Sequence, residues 1–215
     1  MLAAPILTLY RFGMIDDLNS VKTYHHGDLR EALIAAAEAV IAERGVEKFS
    51  LREAARRAGV SAAAPAHHFG DARGLLTAVA ARAFMRFGDA LEAADRSGGT
   101  RAERIRAQGL AYVRFALAEG AKFDLIWRYA LIDRQDPDYA AAGQRAFGIL
   151  DQAVRGKAAA PSKPGDLAPA PSIATWSLVH GFAQLALDGA FGTEPGASER
   201  AADALLPLVL DHLRI

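Results

Sequence analysis

Few histidines in this sequence are available to bind a metal or move a proton near neutral pH. Histidine occurs as two adjacent pairs, His25-His26 and His67-His68, and singly at His180 and His212. A metal chelate on a helix needs ligands a turn apart, whereas adjacent side chains point in different directions. There is no cysteine, which excludes disulfides, thiolate metal sites and a cysteine nucleophile. No phosphate-binding glycine loop, nucleophile elbow or helical pair of His ligands occurs, so nothing here assembles an active site. The expectation is a non-enzyme without metal or cofactor. Two other groups suit non-covalent chemistry. Hydroxyls, cations and small residues gather between Ser50 and Phe69, and Tyr112, Phe115, Phe123, Trp127 and Tyr129 cluster mid-chain with His180 as a candidate polar partner. Taken singly, each aromatic is explained by core packing. As a group they can line an apolar pocket with few polar groups, the form of a small-molecule site.

The elements that would position these residues are helices throughout, since apolar residues recur at helical spacing and nothing reads as β-rich. Leu29, Leu33, Ala37, Val40 and Ile41 line a first helix that Gly45 can end. Ser50-Leu-Arg-Glu53 has the form of a capping box opening a second helix, and Ser61 can cap a short third one ending near Phe69. Asp71 can cap a fourth helix to about Arg96, with Leu75, Leu76, Val79, Ala83, Phe87 and Leu91 on its buried face. Further helices are expected at about 100–119, 121–133, 137–155, 172–191 and 198–213, with a mobile loop at 156–171. Residues 1–21 read as a flexible arm, within which Met14 is an alternative start. The apolar stretch Met1–Leu9 lacks the basic flank and cleavage site of a signal peptide. No apolar run reaches the ~18 residues of a membrane span, so a cytoplasmic protein is expected.

Capped helix, Gly59 turn and second short helix between Ser50 and Phe69 form either a helix-turn-helix, whose second helix enters the major groove, or a plain helical hairpin. Gly59 supplies the positive φ of the turn, Val60 can plug the angle, and Leu51, Ala54, Ala55 and Ala58 allow close approach. Net charge is zero, but Lys22–Arg86 holds ten basic and seven acidic residues and four of the six histidines. An architectural DNA binder would instead be strongly basic, without a large apolar C-terminal body.

Phe49-Ser-Leu-Arg-Glu-Ala-Ala-Arg-Arg-Ala-Gly-Val-Ser61, then His67-His68-Phe69-Gly-Asp and Leu75-Leu76, resembles the DNA-binding domain of TetR-family regulators. Tyr24-His-His-Gly-Asp-Leu-Arg30 fits as well, so the resemblance covers about residues 22–78. It implies an all-α protein: a three-helix DNA-binding head (22–70) and a helical ligand-binding and dimerisation domain (71–215). It assigns Ser50 and Arg52 to backbone phosphates, Ser61, Ala62, Ala63 and Ala64 to the leading turn of the recognition helix, and His67 and His68 to its exposed end. The family commonly has Tyr at the position of Ala66 and Lys at that of Ala72. His67, His68 and Arg73 are the candidate substitutes, and His25-His26 reads either as a solvated arm or as a phosphate or minor-groove contact. Pro65 is unusual in so short a helix but lies near its first turn, where a missing N–H costs least.

Trp176-Ser-Leu-Val-His180-Gly181 is similar to a Trp-x-x-x-His-Gly signature in one C-terminal branch of that family, and Phe123-Asp-Leu-Ile-Trp127 to the aromatic motif preceding it. This implies a four-helix dimer interface built from about 172–213, in which Leu178, Phe182, Leu185, Leu205, Leu206, Val209 and Leu213 are surplus apolar residues. Trp176 falls in that interface, and Gly181 reads as a site of close helix packing. The implied partners are a palindromic double-stranded DNA operator, a second copy of the chain, and a small apolar effector held by Tyr112, Phe115, Phe123, Trp127 and His180.

Overall fold

Leu33, Ala37, Val40 and Ile41 recur at one-turn spacing, and all are fully buried on α1 (His26–Arg44). The computed structural model describes residues 26–156, 160 and 167–212, and among these every regular element is helical. The expected arm at 1–21, His25, most of the 156–171 loop and Leu213 lie outside the described residues.

Gly45, at φ 76°, ends α1, and its N–H returns to the Ile41 carbonyl at 2.9 Å. A 3-10 turn, Val46–Lys48, leads to α2 (Leu51–Arg57), with Ser50 at its N-cap in extended conformation. The expected capping box is not made: the Ser50 hydroxyl caps nothing, and Glu53 turns instead to Arg44, Arg56 and Arg57. Three guanidiniums outcompete one backbone N–H for that carboxylate. Helix α2 closes as a Schellman motif, with Val60 N–H on the Ala55 carbonyl (3.0 Å), Gly59 N–H on the Arg56 carbonyl (3.2 Å), and Gly59 at φ 70°.

Helix α3 (Ala64–Phe69) begins later than the Ser61 cap implied, with Ala63 at its N-cap and no side-chain cap. Pro65 has no N–H, so it is accommodated in the first turn, where it is buried. Asp71 then caps α4 (Ala72–Arg96), accepting the Gly74 N–H at 2.9 Å. Every predicted inward residue of α4, from Leu75 to Leu91, is buried.

The body consists of α5 (Arg101–Ala118), α6 (Gly120–Trp127), α7 (Pro137–Arg155), α8 (Ala170–Leu187) and α9 (Ala197–Asp211). Thr100 and Glu103 form a complete capping box at the start of α5. Helix α6 stops short of the expected 133. Beyond Trp127 the chain is tied to α4 instead, by Arg73 Nη2 donating to the Ile132 carbonyl (2.9 Å) and the Asp133 N–H donating to Thr77 Oγ1 (2.8 Å). Two close approaches seat the helices: a Cβ on Gly143 of α7 would lie 3.1 Å from the Phe84 ring of α4, and one on Gly109 of α5 would lie 3.0 Å from Leu210 of α9. One apolar cluster runs from Ile34, Ala37 and Ile41 through α4 to Phe123 and Leu210, so head and body share a core.

Gly74 sets how α3 leaves α4. A Cβ there would sit 1.9 Å from the Phe69 carbonyl oxygen, which is backbone and cannot turn aside. Gly74→Ala is therefore expected to prise α3 from α4, lowering stability by about 1–3 kcal/mol in urea unfolding and weakening duplex DNA binding. Unchanged stability and affinity would contradict this account of the corner.

Candidate DNA-reading head and ligand cavity

In the head, most basic side chains are already engaged. Arg57 holds Glu43 (2.7 and 2.6 Å) as well as Glu53 (2.9 Å), Arg56 makes two bonds to Glu53, and Arg30 lies over the Phe69 ring at 5.5 Å. Hydrogen bonds from Arg56 and then Arg57 hold the Glu53 carboxyl down at about 2. Arg52 and Lys48 are exposed and have no partner among the described residues. They flank Ser50, beside the α2 N-terminus that no side chain caps. Exposed N–H groups, a hydroxyl and two free cations on one edge suit a phosphate. The sequence reading named Ser50 and Arg52 but missed Lys48, whose signal was a basic residue in the polar turn just before the helix.

Ser61, Ala62, Ala63 and His67 are exposed along the leading edge of α3, while Ala64 and His68 are half-buried. The His68 ring packs 5.5 Å from His67 and 6.4 Å from Phe69. Arg73, expected near phosphates, directs its guanidinium to the Ile132 carbonyl and so ties the start of α4 to the body.

In the body, α4, α5, α7 and α8 surround a cavity of about 140 Å³, with Trp127 of α6 in its wall. Of the five residues expected to form a ligand site, Tyr112 and Trp127 line it. Phe115 packs on Phe87 (5.2 Å), Phe123 is fully buried behind Tyr112 (5.7 Å), and His180 stands behind Tyr112, its Nδ1 hydrogen-bonded to the Tyr112 hydroxyl at 2.8 Å. Tyr129 lies apart, exposed under the Arg134 guanidinium. Proximity in sequence groups aromatics but does not phase them around their helices. The walls it missed include Phe84, Phe87, Gln108, Phe147 and Trp176.

Trp176 lines the cavity: it lies a turn before His180 on α8, its ring is 5.6 Å from Trp127, and its Nε1–H donates to the Tyr112 oxygen (3.3 Å). A relay runs Trp176 to Tyr112 to His180. Burial raises the Tyr112 pKa far above its usual range and lowers that of His180, keeping both neutral as the relay requires.

On the far side of α8 and α9, Leu185, Leu205, Leu208 and Val209 are exposed, and with half-buried Leu178 they line an open apolar groove. Phe182, stacked on Phe191 at 4.7 Å, lines the floor of that groove, whereas Leu206, also expected there, is fully buried. Gly181 packs against nothing in its own chain; a Cβ there would meet no atom within 4 Å.

A helix-turn-helix head sharing its core with a hollow helical body defines a class of one-chain regulators. Residues 33–79 match the sequence family of bacterial regulatory proteins of the tetR family, and residues 105–209 match the tetracyclin repressor-like C-terminal domain. A protein of unknown function from Rhodococcus sp. RHA1 has 33% identity, 90% of this chain and all of that one covered, and a TM-score of 0.69. A TetR family transcription regulator from Marinobacter aquaeolei VT8 shares the fold at 22% identity (85% and 94% covered, TM-score 0.59). So does the TetR-like regulator LfrR from Mycobacterium smegmatis in complex with proflavine, at 22% identity (84% and 94% covered, TM-score 0.57). No curated protein matches the sequence. The chain belongs to the TetR family of transcriptional regulators. Among the described residues, no helix is long and apolar enough to cross a membrane, and no cluster of His, Asp and Glu could hold a metal.

The Glu53 cluster gives a pH expectation. Its carboxyl is depressed in the folded head, so its stabilisation is complete above about 4.5 and is lost as pH falls toward about 2. Glu53→Gln should lower stability at neutral pH and flatten the acid limb of the unfolding curve. An acid limb identical to the wild type would remove Glu53 from the account.

Proposed function

We propose that the chain is a ligand-released repressor: a homodimer that binds a palindromic operator in the cytoplasm and lets go when a small molecule fills the cavity. The observation that carries this reading is that one helix serves both ends. The first turn of α4 abuts the Phe69 carbonyl at the end of α3, and Phe84, Phe87 and Leu91, further along the same helix, wall the cavity. A ligand that favours a different seat for α4 would change the separation of two recognition helices in a dimer. DNA accepts only a narrow spacing, since half-sites lie about one helical turn apart. A coupling of about 1–3 kcal/mol would change operator affinity roughly 5–150-fold. The proflavine complex of LfrR supports a small-molecule role for such a body.

The head would read DNA through α3, with Ser61, Ala62, Ala63, Ala64, His67 and His68 toward the bases and Ser50, Arg52 and Lys48 on phosphates. Arg73 is the weaker candidate, because its guanidinium is already bonded to the body. A dimer through α8 and α9 would cover Leu185, Leu205, Leu208 and Val209, and Gly181 would let two copies of α8 approach closely. The Trp176, His180 and Gly181 signature supports placing the body in the C-terminal branch that carries it.

Selection from random duplexes should enrich a palindrome, with affinity falling steeply as salt rises. Arg52→Ala should weaken binding to all sequences alike and reduce the salt slope by about one, whereas changing His67 should alter which sequence is preferred. Enrichment of no palindrome would contradict the reading. Light scattering should give about twice the 22.8 kDa chain mass, and Leu185→Asp with Val209→Asp should halve it. A wild-type monomer would overturn the dimer.

A further inference from the structure

We infer that the cavity is built for an uncharged molecule about the size of one aromatic ring, carrying a group that both donates and accepts a hydrogen bond; this rests on the reading of the cavity as the sensor site. The volume sets the first limit. At about 140 Å³ the space is close to the roughly 150 Å³ apolar cavity that admits benzene. A fused polycyclic ligand would have to displace wall residues such as Phe84 and Phe87, which pack on each other at 6.0 Å.

Charge sets the second limit. Among the described residues, no Asp, Glu, Lys or Arg lines the wall. Asp95, the carboxylate that wall residue Gln108 reaches with Nε2 (3.0 Å), also accepts from Arg104 Nη1 (3.4 Å). An ion of either sign would lose its hydration here and gain no counter-ion, which buried charge does not tolerate.

Unspent hydrogen-bonding capacity sets the third. Most polar atoms in the wall are engaged: the Thr175 hydroxyl donates to the Pro171 carbonyl (2.9 Å), Trp176 Nε1–H donates to Tyr112, and the Tyr112 hydroxyl is hydrogen-bonded to His180 Nδ1. Two are not. Gln108 Oε1 and Trp127 Nε1 are buried without a partner, and both residues line the cavity. The bond from Gln108 Nε2 to Asp95 fixes which end of the amide is left over. Two side chains of the wall thus each carry a polar atom, one acceptor and one donor, that nothing among the described residues satisfies. Buried groups of this kind are costly when unpaired, so a ligand completing both gains over one that completes neither.

A set of near-isosteric probes separates these terms: benzamide is neutral and both donates and accepts, toluene does neither, benzoate is an anion, and benzamidinium is a cation. Titrated into the full chain by calorimetry and tryptophan fluorescence, benzamide should bind at least about tenfold tighter than toluene and tighter still than either ion. Trp127→Phe and, separately, Gln108→Leu should each shrink the benzamide-to-toluene ratio while toluene binding persists. Toluene binding retained in each variant shows that the fold survives. Toluene equal to benzamide, an ion equal to benzamide, ratios unmoved in both variants, or no binding by any probe would each overturn the inference. Operator release is scored separately by DNA anisotropy. Benzamide that binds without releasing DNA would contradict the repressor reading and leave the ligand class standing. Release driven only by a charged compound would do the reverse.

Discussion

Helix α4 cannot shift at one end without being accommodated at the other. Its 25 residues bury Leu75, Leu76 and Val79 toward the head and Phe84, Phe87 and Leu91 toward the body, within one continuous apolar cluster. Close-packed interiors move between discrete arrangements and do not yield smoothly. At its first turn the absent Cβ of Gly74 lets the Phe69 backbone sit against the helix, so the end of α3 is keyed to α4. Further along, Gly143 lets α7 lie against Phe84. The cavity opens beside this same seam, which is how the proposed effector would bear on the pose of the head.

The ion pairs explain how a chain of zero net charge can meet DNA. Arg86 reaches Glu38 of α1 and Glu119 beside α6, Arg128 reaches Glu47 and Asp124, and Arg82 reaches Glu31. Partly exposed pairs of this kind add little to stability, but they consume cations. Among the described residues of the head, what remains for phosphate is a small edge, with Lys48, Arg52, Ser50 and the uncapped start of α2. Affinity for DNA would then depend on two such edges held at a fixed spacing, which is the quantity a ligand in the body could disturb.

The helices were legible wherever a periodic stripe met a cap or a glycine. Leu33 to Ile41 before Gly45, Asp71 before α4, and Asp136 before Pro137 each state an element and its end. The helix-turn-helix was legible because its turn requires the positive φ that Gly59 supplies. Four features were not legible. Glu53 looked like a capping-box partner because the arginines that claim it are placed by folding. Helix α6 ended early because Thr77 and Arg73, more than fifty positions away, hold the backbone that follows it. That Trp176 lines the cavity while Phe123 is buried behind it was not legible because sequence gives the neighbours of a side chain along its helix, whereas the rotation of each helix is set by packing. Gly74 resembled any helical glycine until the carbonyl facing it was located.

Reciprocity between the two sites tests the central claim most directly. The affinity of the chain for benzamide is measured by tryptophan fluorescence with and without a saturating operator duplex. If α4 couples cavity to head, bound DNA must weaken the probe by the factor by which the probe weakens DNA, about 5–150-fold for couplings of the usual size. An affinity for benzamide that is the same with and without DNA would show that cavity and head are independent, and would contradict the account.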